Sequence, residues 1–107
     1  MTRKIRLYHN PRCSKSRKAF QLLLDRNIEF EDYRYLNIGV DIDDIEILSK
    51  LHGILRPNKN HEPADFTIEQ IQKELKKHPE NLQRPILIVD DKAVIGRPPE
   101  KILTLLL

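Results

Sequence analysis

The sequence predicts an α/β domain, a mixed four-stranded sheet flanked by helices with a short helical insertion. Three observations carry this. Lys4 to Tyr8 alternates, with Ile5 and Leu7 on one face, as a strand does. Apolar residues then recur at helical spacing before a second stretch rich in aromatic and β-branched residues, and that strand–helix–strand order favours parallel pairing. Near the other end Pro85 to Val89 (PILIV) lacks alternation, as expected of a strand covered on both faces, and a tight turn at Asp90, Asp91 and Lys92 returns the chain to a short partner strand.

The elements follow in order. Pro11 ends the first strand. After Cys13, the residues Ala19, Phe20, Leu23 and Leu24 predict a helix from about Ser14 to Arg26, which Asn27 closes. Ile28 to Leu36 should hold the second strand. Between Gly39 and Gly53, the spacing of Ile42, Ile45, Leu48 and Leu51 predicts a second helix, with Asp41 or Asp43 as N-cap and Gly53 as its stop. Arg56 to Asp65, with its prolines and asparagines, reads as a loop. Thr67 to Gln70 has the capping-box pattern, so a third helix runs to about Lys77 and stops before Pro79. Ala93 to Ile95 forms the last strand, and Pro98, Pro99 and Glu100 open a final helix whose apolar side is Ile102, Leu103, Leu105 and Leu106.

A chain of 107 residues has room for one domain, which would bury roughly two thirds of its unfolded surface. No apolar run approaches the ~20 residues needed to span a membrane. A single cysteine cannot form an internal disulfide and no signal segment opens the chain, so a reducing cytoplasm is the expected compartment and a monomer the expected state. The net charge of +3 is mild, but its distribution is not even. From Met1 to Leu24 there are seven cations, Arg3, Lys4, Arg6, Arg12, Lys15, Arg17 and Lys18, and no carboxylate. That suits an anionic ligand at Cys13. The basic residues are not interleaved with aromatics and no nucleic-acid signature is present, which argues against DNA or RNA as partner. His52, His61 and His78 sit at helix ends or in a polar loop without metal-ligand spacing, so no metal is expected.

Cys13 is the candidate nucleophile. It stands where the first strand runs into the first helix, facing unsatisfied backbone N–H groups and the positive end of the helix dipole, both of which favour thiolate. Its neighbours Arg12 and Ser14 are not the surroundings of a buried apolar cysteine. His9, Arg12, Lys15 and Arg17 supply positive charge, and Ser14 and Ser16 offer hydroxyls to a sulfur anion or a bound oxyanion. Ser16 occupies the place where a dithiol exchanger would carry its second cysteine, so an outside thiol must resolve whatever Cys13 forms.

The run from His9 to Ala19 (HNPRCSKSRKA) resembles the active-site loop of the arsenate reductases that draw electrons from glutathione and glutaredoxin, a thioredoxin-fold family. Tyr35 and Leu36, Gln83 to Ile86 (QRPI) and Ile95 to Glu100 (IGRPPE) continue the resemblance in the family's order, and the chain is about a dozen residues shorter than typical members between Gly53 and Phe66. The resemblance implies a thioredoxin-like (glutaredoxin-like) fold with a cis bond at Arg84-Pro85. It also implies attack of the Cys13 thiolate on arsenate or a similar oxyanion, assisted by His9 and Ser16. Arg84 and Arg97 then hold the anion, and Arg56 is the arginine nearest the family's third anion contact. The planar guanidinium suits that task because it binds two oxygens at once. No bound cofactor is implied; glutathione enters as co-substrate and glutaredoxin as partner protein. Two other classes fit the same residues, a glutathione-dependent thiol enzyme without arsenate activity and an Spx-type adaptor that binds RNA polymerase. The Spx redox switch requires the second cysteine that is absent here.

Overall fold

The computed structural model describes residues 4–57 and 65–106. The chain divides into two compact units, one of residues up to Arg34 together with Arg84 onward, the other from Tyr35 to Gln83.

The first unit is built on a four-stranded sheet in the order β2-β1-β3-β4, with β1 Ile5–Tyr8, β2 Glu31–Tyr33, β3 Ile86–Val89 and β4 Lys92–Ile95. β1 pairs parallel with β2 and antiparallel with β3, and β3 pairs antiparallel with β4. The mixed sheet has the predicted form. Helix α1, Ser14–Asp25, connects β1 to β2. Leu7, Ala19, Leu23, Leu87, Val89 and Ile102 form the core between them, each 3% exposed or less. Every residue of β3 is buried, which is why its sequence does not alternate. Asn27, at φ 55°, closes α1 in a Schellman motif: Ile28 N–H donates to the Leu23 carbonyl and Asn27 N–H to that of Leu24.

The C-terminal element differs from its prediction. It is a 3₁₀ helix, Pro99–Leu105, not an α-helix. Its bonds reach three residues back, as from Lys101 N–H to the Pro98 carbonyl, and the Thr104 hydroxyl donates to the Lys101 carbonyl with the same spacing.

The second unit departs further. A short helix α2, Tyr35–Ile38, occupies residues that read as the end of a strand, and Gly39 at φ +80° ends it. The single helix expected from Gly39 to Gly53 is instead a 3₁₀ turn, Ile42–Asp44, followed by helix α3, Ile45–Ser49. Asp41 causes the break by accepting from Asp43 N–H at 2.9 Å, a local cap that starts the turn. It leaves Ile42 72% exposed, so this member of the apolar series does not reach the core. Helix α4, Ile68–Lys77, is the predicted one. Both capping-box bonds are present, from Gln70 N–H to Thr67 Oγ1 at 3.2 Å and from Thr67 N–H to Gln70 Oε1 at 2.8 Å. A 3₁₀ turn, Pro79–Asn81, follows it. Most of the loop predicted from Arg56 to Asp65 lies outside the described residues.

Candidate active site

The loop between β1 and α1 is fixed by bonds that its residue types require. Pro11 and Arg12 are the central residues of a turn closed by Cys13 N–H on the Asn10 carbonyl at 3.0 Å, and the Asn10 side chain accepts from Arg12 N–H at 3.0 Å. Cys13 is the N-cap of α1, in extended backbone conformation, and its carbonyl accepts the first helical bond from Arg17. Ser16 Oγ, fully buried, accepts from Asn10 N–H at 2.9 Å and lies 2.6 Å from His9 Nδ1. That serine ties the end of β1 to the first turn of α1, so the cysteine between them has little freedom.

Burial pushes the Cys13 thiol up, the largest single influence on it. It is outweighed by the Ser16 N–H, the Arg84 guanidinium and the Lys15 N–H, and the thiol sits below its ordinary value. The sulfur makes no capping hydrogen bond of ordinary geometry, yet these donors face it closely enough to favour its anion.

His9 does not supply charge. It is 4% exposed, stacked on Phe20 with ring centroids 4.8 Å apart, and burial holds its pKa below the ordinary 6.5 despite the raising influence of Asp32. Burial thus favours the neutral imidazole over the cation that His9 can become. Its contribution passes through Ser16. Arg17 Nη1 donates to the Pro11 carbonyl at 3.0 Å and braces the turn.

Arg84 stands two residues before β3, beside Cys13. Its Nε is buried with no hydrogen-bond partner among the described residues. A buried donor of this kind is costly unless it meets an acceptor. Arg97 Nη1 donates to the Arg84 carbonyl at 3.0 Å, which fixes the backbone from which the Arg84 side chain departs. Both Arg84-Pro85 and Arg97-Pro98 are cis peptides, the first as expected. The first unit thus brings together Cys13, His9, Ser16, Arg84 and Arg97. Arg56 belongs to the second unit, where its N–H donates to the Asn81 carbonyl at 2.8 Å. A cavity of about 570 Å³ within that unit is lined by residues on either side of it, among them Leu55 and Pro57, but not by Arg56.

The ArsC family model matches residues 8–105. The chain belongs to the ArsC family. The protein named "Arsenate reductase" from Haemophilus influenzae is 33% identical over 112 residues, covering 94% of this chain and 97% of that protein. "Uncharacterized protein YfgD" from Escherichia coli K12 is 33% identical over 115 residues, covering 96% and 97%. That alignment has more positions than this ArsC-family chain has residues, so the relative carries residues that this chain lacks. The arsenate reductase from Vibrio cholerae superposes with a TM-score of 0.79 over 97% of this chain and 98% of its own, at 24% identity, and shares the thioredoxin-like fold.

Two residues of the site carried no sequence signal of their importance. Phe20 read as a helix core position, yet it also bridges His9 and Phe30, whose ring it meets edge-on at 5.2 Å. Asn10, before a proline, announced only a turn; its backbone N–H is also what orients Ser16.

Proposed function

We propose that this ArsC-family protein reduces arsenate to arsenite, with Cys13 as nucleophile and glutathione and glutaredoxin as electron donors. It works as a monomer without a bound cofactor, in a reducing cytoplasm. The observation that supports this best is the pairing of a thiol depressed below its ordinary value with an adjacent arginine whose buried Nε has no partner. A nucleophile and an unfilled cationic donor side by side suit an oxyanion better than an apolar electrophile.

The Cys13 thiolate attacks arsenic, and one As–OH oxygen takes a second proton from solvent and leaves as water. Arg84 and Arg97 pair with the remaining oxygens, and Arg97 also holds the Arg84 carbonyl. A glutathione thiolate then attacks Sγ; the sulfur–arsenic pair passes to arsenic, which departs as arsenite two electrons richer, and Cys13 is left as a mixed disulfide. Glutaredoxin takes the glutathione and returns the thiolate, because the chain has no second cysteine to do so.

Cys13→Ser abolishes turnover. In the native protein given arsenate and glutathione, mass spectrometry shows a gain of one glutathione at Cys13 that disappears when glutaredoxin is added. Adduct formation without arsenite release would leave a glutathione-dependent thiol enzyme. Capture of RNA polymerase with neither adduct nor turnover would replace this reading with the adaptor.

A further inference from the structure

Helix α1 opens against the rule that stabilises helices. Its first turns carry Lys15, Arg17 and Lys18 and no carboxylate, although the positive end of the helix dipole favours acidic side chains. Arg12 adds a cation from the preceding turn, and Lys15 and Lys18, three residues apart, repel one another. All four side chains are exposed. Arg17 is folded onto the Pro11 carbonyl; among the described residues, Arg12, Lys15 and Lys18 have no carboxylate partner.

Nothing along this stretch compensates them. The first carboxylate after Cys13 is Asp25, in the last turn of α1, and Gln21 Nε2 bonds it at 2.7 Å. It lies roughly 15 Å from Lys15 and roughly 10 Å from Lys18 along the helix axis, beyond the ~8 Å screening length in physiological salt. In β2, Glu31 and Asp32 are taken by Arg6 and Arg34 at 2.9 and 2.8 Å. An oxyanion does not require these cations either, since Arg84 already stands at the sulfur with an unfilled donor. A local rule broken without compensation inside the fold marks a surface kept for something outside it.

We propose that Arg12, Lys15 and Lys18 are the docking surface for a thiol-donor protein whose reactive cysteine is ringed by carboxylates. This rests on the reading that Cys13 passes through a glutathione adduct. In the docked complex the donor thiolate attacks the glutathione sulfur; the old disulfide breaks, its electron pair leaves on Cys13 as thiolate, and a new disulfide joins donor and glutathione. The donor is oxidised and Cys13 reduced. The collar sets how often the two proteins meet in register, and the depressed thiol makes Cys13 a good leaving group.

The test uses the whole protein with the adduct preformed from oxidised glutathione, so that no arsenate is involved. The probes are two glutaredoxins, one with an acidic and one with a basic rim around its reactive cysteine, and dithiothreitol as a neutral small thiol. The acidic glutaredoxin is expected to resolve the native adduct faster than the basic one, with a rate that falls about tenfold between about 20 and about 200 mM NaCl. In Arg12→Glu/Lys18→Glu that preference inverts, Arg12→Gln/Lys18→Gln falls between, and dithiothreitol acts on all three equally. Three results would overturn the docking surface: equal, salt-independent rates with both glutaredoxins; an equal loss with dithiothreitol; or failure of the acidic glutaredoxin to resolve an adduct that dithiothreitol removes. Absence of arsenate reduction in a separate assay would sink the proposed reaction and leave this measurement readable.

Discussion

The turn from His9 to Arg17 and the stretch from Tyr35 to Gly53 are both made of short elements, but they are specified in different ways. In the first, residue identity dictates geometry: Asn10 and Pro11 make the turn, Ser16 ties strand to helix, and Arg17 braces the Pro11 carbonyl. In the second, apolar spacing dictates only which residues seek burial, and the backbone meets that demand with α2 in place of a strand end and with a 3₁₀ turn and α3 in place of one helix. A stretch whose side chains bond its own backbone writes that backbone into its residues. A stretch that must only cover a core leaves the backbone free to choose.

The sharpest way to break this comparison is through the cores themselves. Leu87, in β3, and Leu75, in α4, are both fully buried. Replacing either by alanine is expected to cost about 2–5 kcal/mol, measured by denaturant unfolding. Only Leu87→Ala should also alter Cys13 reactivity, since β3 continues directly from Arg84-Pro85. Equal effects of both variants on the thiol would erase the proposed difference in specification.

Next in size is the thiol. Arg84→Ala removes one of the groups that holds Cys13 below its ordinary value, so the pH dependence of alkylation by iodoacetamide shifts upward. His9→Phe, which keeps a ring against Phe20, should shift it less, because the neutral imidazole acts only through Ser16. A larger effect from His9 would mean that it carries charge after all.

A smaller effect tests the second region on its own terms. Thr67, further along the second unit, is a position where residue identity, not spacing, fixed an element. Thr67→Ala should cost about 1 kcal/mol and leave alkylation of Cys13 unchanged.

These cases show what could be read from the residues. The strands, α1, α4 and the thiol's position were legible because each is announced by a residue that can do little else: Pro11, Asn27, the Thr67 and Gln70 box, and the unbroken apolar run of β3. The break at Asp41 was not, because an N-cap residue inside a periodic run serves as well to start a short turn as a long helix. The 3₁₀ form of Pro99–Leu105 was hidden because i, i+3 spacing is common to both helix types. The neutral state of His9 depends on burial by Phe20 and the sheet, and no local pattern records that.

The last and smallest expectation follows from that burial. The folded state holds His9 below 6.5, chiefly by desolvation, so in the unfolded chain the imidazole takes up its proton at a higher pH than in the folded one. Between those two values the unfolded state binds more protons, and stability therefore rises with pH across that interval. Going the other way, the contribution of His9 is fully present above 6.5, declines as pH falls below it, and stops changing once the folded imidazole is also protonated. Glu80, held below 4.5 mainly by its own backbone N–H, loses its contribution only at lower pH, below 4.5, so the two are separable. His9→Gln should remove the slope just below pH 6.5 from a series of urea unfolding curves and leave the acid limb intact. If that slope persists in the variant, another group is titrating there, and the imidazole between Ser16 and Phe20 is not kept neutral by its burial.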